Sequence, residues 1–377
     1  MATGYTALGN QLPEQQKAWV RESIKAFRAD FFFSKFTGAG PNNIVQVCNE
    51  LKKTASGDRA GIGLVQELQG SGIVGDNDFD GRYESLESSW VEIHCDQLRK
   101  GVASKGRVDD QRSVFNFRTE AKDKVSYWRA RVMEEFMILC ASGIALTYNT
   151  DGSTRTVGAE DDPATLAYAA DVTAPSTNRH FAFNGTNLVA GDTTTMTTGY
   201  VPKYGMIVDA MAEAKSRGVN PLMIGGKEHF VYLCHPKTFA RLKKDADFRD
   251  ALVGAEARGS KHPIFTGATV TMDGAIIHTN NRVYTTTGRV SGTSAAVGKW
   301  GAGWDVEGTR SLLLGRQALA FGDIWSAAKW YEGKRDHDAK NVISLAMYTG
   351  ILKPKFISRF DSNAVEDFGV IALDLAL

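Results

Sequence analysis

The most regular pattern of apolar and charged residues lies between residues 109 and 145. Apolar or small residues recur there every three or four positions, which is the spacing of one face of an α-helix. They are Val114, Phe117, Ala121, Val125, Trp128, Val132, Phe136, Leu139 and Gly143. Asp109 and Asp110 suit the start of the helix, and Gly143 suits its end. The pattern predicts an amphipathic helix of about 33 residues, roughly 50 Å long. Its other face, which includes Arg129, Glu134 and Glu135, should meet solvent or a neighbouring subunit.

Two half-buried strands are predicted before this helix, at residues 64–68 and 90–95. Glycines at positions 70, 72, 75 and 81 separate them, with acidic residues in between. The segment predicts a long, hinged β-hairpin. Because a hairpin alone encloses too little apolar surface for stability, we expect it to project and to find support elsewhere.

The N-terminal region predicts a helix over residues 13–29, with Pro13 in its first turn. Phe31, Phe32, Phe33 and Phe36 follow directly. Burying one such ring stabilises a structure by about 1.5–3 kcal/mol, so these side chains need a cover. We favour an arm that lies against another body; the alternative is that the rings pack on their own domain.

After the long helix, residues 147–200 contain fifteen Ser and Thr residues and show no sustained period, which predicts a surface loop or insertion with short strands. Residues 202–217 predict a helix with Tyr204, Val208, Met211 and Lys215 on one face. Residues 230–234 form an apolar run typical of a buried strand, and His235-Pro236 ends it. Two short helices at 237–244 and 248–252 then suggest a layered α/β unit.

The C-terminal part is rich in predicted strands. Asp273-Gly274 and Asn280-Asn281 supply turns between strands at 270–272, 275–278 and 283–285. Further strands are predicted at 312–314, 318–321, 343–347 and 371–377. The last of them should be docked, because its alternate residues from Ile371 onward are all apolar.

Composition describes an ordinary globular protein of 377 residues, with 43% hydrophobic and 23% charged residues. The net charge of +1 gives no global field for gripping nucleic acid, and no apolar run is long enough for a membrane span. Four separate cysteines, at 48, 95, 140 and 234, favour buried free thiols in a reducing cytoplasm.

Two motifs in the hairpin invite a chemical interpretation. Residues 76–87 fit the spacing of a calcium loop, and residues 70–75 read G-x-G-x-x-G. A calcium loop belongs between helices and a dinucleotide loop needs a following helix, whereas a strand and an acidic loop follow here. We therefore interpret both motifs as turns and predict no catalytic residue, no metal and no cofactor.

Short sequence words, in order, resemble those of tailed-bacteriophage major capsid proteins with the Hong Kong 97-type fold, and most closely a podophage branch. They are Leu51 to Lys53, Gly57-Asp58, Gly70 to Asp76, Asp80-Gly81, Glu84, Leu86, Asp96, Arg99, Val102, Gln111-Arg112, Val231 to Leu233, His235-Pro236, Gly274 to His278, Asn281 to Tyr284, Leu313 to Gly315 and Gln317-Ala318. The resemblance implies an α+β fold in which a long spine helix packs on an antiparallel sheet beside a layered α/β axial domain. It divides the chain into an N-terminal arm (1–60), an extended hairpin loop (61–107), the spine helix of the peripheral domain (108–146), an insertion (147–200), the axial domain (201–314), peripheral strands (315–352) and C-terminal strands (353–377).

The family further implies a shell built from pentamers and hexamers that encloses DNA without sequence-specific binding, as part of a virion assembled in the bacterial cytoplasm. The expected assembly contacts are Phe31, Phe32, Phe33, Leu86 and Trp90. Scaffold, portal and decoration proteins are further candidate partners, and no membrane is expected. Two alternatives stay open: an encapsulin-like shell protein, and a calcium-stabilised enzyme.

Overall fold

The computed structural model describes residues 31–48, 59–65, 71–85, 88–107, 111, 117–255, 270–292, 298–323, 328–358 and 362–377. The predicted helix over 13–29 lies outside these residues, as do Leu86 and the predicted helix start at Asp109 and Asp110. The described helices are α1 (Phe117–Ser142), α2 (Tyr204–Ser216), α3 (Pro236–Leu242) and α4 (Ala246–Ala255). The strands are β1 (Thr37–Gly38), β2 (Val45–Cys48), β3 (Arg59–Val65), β4 (Ser88–His94), β5 (Asp96–Ala103), β6 (His180–Phe183), β7 (Leu188–Ala190), β8 (Leu222–Ile224), β9 (Lys227–Cys234), β10 (Val270–Met272), β11 (Ala275–Thr279), β12 (Gly308–Leu314), β13 (Leu319–Asp323), β14 (Lys329–Arg335), β15 (Lys340–Leu352), β16 (Lys355–Ser358), β17 (Ala364–Asp367) and β18 (Val370–Ala376).

Two sheets carry the fold. A six-stranded sheet has the order β1-β2-β13-β15-β14, and β5 pairs with β15 as well. An eight-stranded sheet has the order β10-β11-β9-β12-β18-β6-β7, with β8 on β9. The central strands of the second sheet are buried on both faces, and all residues of β12 and β18 are buried. This agrees with their near-continuous apolar sequences, which are typical of strands covered on both sides.

The C-terminal half of α1 lies at the centre of the larger core. Met133, Phe136 and Leu139 pack there with Val231 of the eight-stranded sheet and Met347 of the six-stranded sheet. Alternate residues of β9 point the other way, onto a second core cluster that includes α2. One long helix is therefore shared by both sheets.

Burial of α1 differs from the predicted amphipathic pattern. Arg129 and Glu134, expected on an outer charged face, are buried, and every residue from Phe136 to Ser142 is buried as well. The prediction of a single inner stripe is wrong for this half of the helix because both sheets cover it.

The end of α1 confirms the predicted stop at Gly143. The amide of Gly143 donates to the Cys140 carbonyl at 3.1 Å, and the amide of Ile144 donates to the Leu139 carbonyl at 3.0 Å. This pair of bonds is a Schellman motif, in which the residue after the helix adopts the left-handed conformation. Gly143 has φ +65°, and a Cβ atom there would lie 2.6 Å from the Thr173 carbonyl oxygen.

Residues 147–200 contain the predicted short strands, which are β6 and β7 of the eight-stranded sheet. Tyr168, Phe183 and Met196 are buried in the core, so the expectation of a surface segment is wrong for these residues. The Ser and Thr residues obscured the few large apolar side chains that anchor the segment.

Most later elements confirm the sequence predictions, including β9, the Asp273-Gly274 hairpin between β10 and β11, and the strands β12, β13, β15 and β18. The predicted strand at 283–285 is absent from the described elements, because only Thr285 forms an isolated bridge, with Thr309. The segment predicted as hairpin from 61 to 107 also needs correction. Its last part is β5, which pairs with β15 in the six-stranded sheet.

Candidate assembly surfaces

The hairpin predicted from sequence is present as a separate two-stranded sheet. β3 and β4 pair antiparallel over seven positions, from Arg59 opposite His94 to Val65 opposite Ser88. Beyond them, residues 74–85 are all exposed, and the Val74 side chain is 80% exposed. At about 3.3 Å per residue the paired strands alone span roughly 23 Å. The hairpin is therefore a limb whose exposed end mixes acidic residues with the apolar side chains of Val74, Phe79 and Tyr83.

Trp90 lies on one face of this limb. It sits opposite Gly63, and a Cβ atom at Gly61 would come within 2.0 Å of the Trp90 indole. Because the two glycines have no side chains, the Trp90 ring lies directly on the backbone of β3, while 64% of the residue stays exposed. A large aromatic side chain that is fixed on one side and uncovered on the other is typical of a residue at a protein interface.

The root of the hairpin is set into the six-stranded sheet. Gly322 of β13 and Gly350 of β15 are cross-strand partners, and Ile93 and Cys95 pack over them. On the other side, His94 is held by Asp171: its amide donates to Oδ2 at 3.1 Å, and its Nδ1 lies 2.8 Å from Oδ1. These contacts anchor the root, whereas residues 74–85 at the end of the limb are all exposed.

The phenylalanines after the predicted arm occupy the interior of their own subunit. Phe31 and Phe33 are buried in the main core, and Phe32 contacts Phe36 and His278 at ring centroid distances of 5.6 and 5.4 Å. For Phe31 and Phe33 the arm interpretation is corrected, because their burial needs no second molecule. Phe32 is half-buried at the surface of the same cluster.

A buried carboxylate fixes this segment, and sequence reasoning missed it. Glu134 of α1 accepts a hydrogen bond from the Phe32 amide at 3.2 Å and pairs with Arg282 at 3.1 Å; Asn280 also donates to it. The only sign of this burial in the sequence was that Glu134 lies between apolar residues, directly after Met133 and two positions before Phe136. Glu134 therefore ties the first described residues to α1.

A second ionic group stabilises the eight-stranded sheet. Arg310 of β12 makes a bidentate pair with Asp374 of β18 at 2.7 and 2.9 Å, and His180 of β6 lies 2.6 Å from the same carboxylate. Burial by itself would raise the pKa of Asp374, but Arg310 and the His180 hydrogen bond hold that pKa down at about 2. The carboxylate is thus charged at neutral pH and joins three strands.

The two sequence motifs in the hairpin behave as turns. Gly72, Gly75 and Gly81 all have positive φ angles, and a Cβ atom at these positions would meet nothing within 4 Å. The Asp78 carboxylate accepts from the Asp80 amide, and Asp80 accepts from the Tyr83 hydroxyl. Among the residues that the structure describes, no cluster of His, Cys, Asp and Glu is arranged to hold a metal ion.

A shallow groove of about 750 Å³ crosses β5, β15 and β14 of the six-stranded sheet. Its floor is made of small residues, which are Gly101, Ala103, Gly333, Ser344 and Ala346. Five cations line it, namely Arg99, Lys100, Lys329, Lys334 and Arg335, and none of the described residues that line it is acidic. The groove is a positively charged recess on an open sheet face.

None of the helices in the described part of the chain is long and apolar enough to cross a membrane.

The chain is similar to known phage proteins over its whole length. Residues 8–377 match the profile of a family described as phage capsid protein. The major capsid protein of Pseudomonas phage KPP25 is 37% identical over 376 residues, which cover 99% of this chain and 98% of that protein. The capsid of Ralstonia phage GP4 matches with a TM-score of 0.74 at 21% identity, over 92% of this chain and 90% of the other. The cyanophage Pam1 capsid matches with a TM-score of 0.67 at 17% identity, over 100% and 98% of the two chains.

Proposed function

The chain belongs to the phage capsid protein family, and we propose from this premise that its copies assemble into pentamers and hexamers, which form the icosahedral shell around phage DNA. The expected α+β fold of Hong Kong 97 type is confirmed by the solved capsids that share it. The protein is a virion component whose role is structural, without a catalytic step of its own. Assembly takes place in the bacterial cytoplasm, with scaffold, portal and decoration proteins as further partners.

The observation that supports this function best is the hairpin that projects from a rigid root. Its apolar residues Val74, Phe79, Tyr83 and Trp90 are between 53% and 80% exposed. Monomeric proteins seldom expose such a series, because each buried apolar side chain would contribute about 1.5–3 kcal/mol. A neighbouring subunit would supply the missing cover.

Contacts of this kind suit a closed ring. When one copy lays a projecting limb on a different surface of the next copy, the interface is heterologous, and repetition by rotation closes it into five or six members. Permanent interfaces of this type commonly bury more than roughly 2,000 Å². The positive-φ glycines near the hairpin tip would let one sequence adapt its limb to both ring sizes.

The charge of the chain fits a container for DNA. A net charge of +1 gives no overall attraction for a polyanion, so the shell would enclose its genome without clasping a particular sequence. The encapsulin-like alternative shares the shell but not this cargo. Nucleic acid in purified particles would separate the two.

Electron microscopy of the expressed protein, with two matched variants, tests the proposal. The parent protein should form closed shells. Trp90→Ala should keep the melting temperature of the unassembled subunit but reduce the yield of shells at least tenfold, because the indole is exposed in the monomer and covered only in the assembly. Tyr127→Ala, at an aromatic residue that is 50% exposed outside the hairpin, is the control and should assemble normally.

Failure of the parent protein to form any particle, alone or with its phage's other head proteins, would contradict the capsid function. If shells form and Trp90→Ala assembles as well as the parent, the hairpin is not the decisive contact. The family assignment would stand in that second case, and only the role of Trp90 would fall.

A further inference from the structure

The turn between β6 and β7 contains the only Asn-Gly pair in the chain, Asn184-Gly185. The Asn184 side chain is exposed to solvent. An asparagine followed by glycine is chemically labile, because glycine has no side chain to shield its amide nitrogen from the neighbouring carboxamide. The pair is therefore a candidate for a reaction that needs no enzyme.

The turn holds the Asn184 side chain against its own backbone. Its Oδ1 accepts hydrogen bonds from the amide of Thr186 at 3.0 Å and from the amide of Asn187 at 2.8 Å. These two bonds fold the carboxamide back along the chain, past Gly185. Within the described part of the chain the Gly185 amide itself donates no hydrogen bond, so no acceptor holds its nitrogen away from the carboxamide.

The chemistry of this arrangement is an intramolecular substitution. The Gly185 nitrogen attacks Cγ of Asn184, and negative charge develops on Oδ1, where the two amide donors already lie. Donors placed at such an oxygen stabilise the tetrahedral intermediate. The bond from Cγ to the side-chain nitrogen then breaks, ammonia leaves with the proton of the Gly185 amide, and a five-membered succinimide remains. Water opens this ring to aspartate or isoaspartate.

The fold also fixes the glycine of the pair. Gly185 has φ +92°, and a Cβ atom there would lie 2.8 Å from the carbonyl oxygen of Gly199. Any other residue would be strained and would collide with the neighbouring segment. The turn therefore requires the one residue type that leaves Asn184 most reactive.

We propose that Asn184 is a site of spontaneous deamidation, at which the folded turn itself promotes the reaction. The inference goes beyond the proposed capsid function and does not depend on it. The isoaspartate product carries one more methylene group in its main chain and one more negative charge. The bonds from Oδ1 to the Thr186 and Asn187 amides are then lost, which should loosen β7 at the edge of the eight-stranded sheet.

Peptide mapping of the purified full-length protein tests the proposal. After incubation in mildly alkaline ¹⁸O-water, the tryptic peptide of residues 180–203 should gain one ¹⁸O atom at position 184, because ring opening takes its oxygen from solvent. Asn187 is also exposed but precedes Leu188; it lies in the same peptide and is the internal control. Asn184 should react at least about tenfold faster than Asn187, and its rate should rise in proportion to hydroxide concentration.

A synthetic peptide of residues 180–190 separates the effect of the turn from that of the sequence. It contains the same Asn-Gly pair without the folded arrangement, so the native protein should deamidate at least as fast as the peptide. Hydrogen exchange of the modified protein should then be faster at the amides of β7 and unchanged at those of β12.

A tryptic peptide without ¹⁸O at position 184 would overturn the inference, and so would equal modification of Asn187. Deamidation that is slower in the native protein than in the synthetic peptide would show that the turn protects Asn184 instead of promoting its reaction. Amides of β7 that exchange at the parent rate in the modified protein would contradict the effect on the sheet.

Discussion

Replacing Gly350 by alanine should loosen the root of the hairpin, and the structure sets the size of the effect. A Cβ atom at Gly350 would lie 2.2 Å from the His94 carbonyl oxygen and 2.9 Å from atoms of both Ile93 and Cys95. Such contacts are far inside van der Waals distance. Because the closest atom belongs to the backbone of β4, relief requires the strand itself to shift.

The cross-strand partner supplies a matched control. A Cβ atom at Gly322 would lie 2.9 Å from the Cys95 sulfur and 3.8 Å from Ile93, with no backbone clash. Overpacking a filled site costs about 1–3 kcal/mol, and Gly→Ala recovers about 0.4–1 kcal/mol by restricting the unfolded chain. We expect Gly350→Ala to destabilise the local closed state by about 2 kcal/mol and Gly322→Ala by less than about 1 kcal/mol.

Hydrogen exchange of the unassembled subunit measures this difference. A change of about 1.4 kcal/mol alters a local equilibrium tenfold, so amides of β4 should exchange roughly thirtyfold faster in Gly350→Ala. In Gly322→Ala the acceleration should stay below about fivefold, and amides of β18 should be unchanged in both variants. Equal exchange of β4 in the parent protein and Gly350→Ala would refute the packing of the hairpin root described above.

Three further substitutions test the interior. Asp374→Asn leaves its arginine partner buried without a carboxylate, and it should lower the free energy of urea unfolding by about 3–5 kcal/mol at pH 7. Because the pKa of Asp374 is held at about 2, below the ordinary 3.8, the parent should lose this advantage as the pH falls from about 4 to 2. A stability difference that stays constant with pH would contradict the assignment. Gly143→Ala should destabilise the folded state by about 1–3 kcal/mol in thermal unfolding, because Gly143 has a positive φ and close neighbours. Gly158→Ala, at a glycine in open space, should leave the stability unchanged. Glu134→Gln should speed amide exchange around Phe32 about tenfold, and unchanged exchange would remove its anchoring role.

Local patterns predicted the elements of this fold well where a single physical rule decides them. Gly143 stops α1 because only the left-handed conformation lets the last carbonyls bond, and Asp273-Gly274 makes a hairpin because both residues adopt positive φ. The apolar run at 230–234 is the buried part of β9, because a strand that is covered on both faces can bury consecutive side chains. Such rules act within a few residues and are legible in sequence.

Faces and partners were harder to predict because they depend on distant parts of the chain. The helix α2 was expected to present Tyr204, Val208, Met211 and Lys215, yet its buried side includes Met206 and Ile207, and Val208 is 40% exposed. Two neighbouring apolar stripes were compatible with the helical period, and only the position of the eight-stranded sheet selects one. Glu134 was read as a surface charge for the same reason, since its partners come from residues about 100 and 150 positions away.

The candidate site residues show the same contrast between local patterns and contacts with distant parts of the chain. Trp90 was expected to be an assembly contact from the family resemblance; it lies exposed on the hairpin, and its role in assembly stays a prediction. Phe31 and Phe33 were misassigned, because a cluster of aromatic rings looks alike whether its cover comes from the same molecule or from another one. The groove on β5, β15 and β14 was not foreseen, since its cations come from two strands, β5 and β14, that lie more than two hundred residues apart in the chain.

The shared position of α1 restricts how the subunit can respond to mechanical load. A helix clamped between two sheets cannot act as a hinge without opening the core that it fills, and rupture of that core would cost far more than a bend elsewhere. If the shell encloses DNA as proposed, internal pressure would therefore move the two sheets and α1 of each subunit together. Changes in the angle between neighbouring subunits would then have to be taken up by the hairpins that link them.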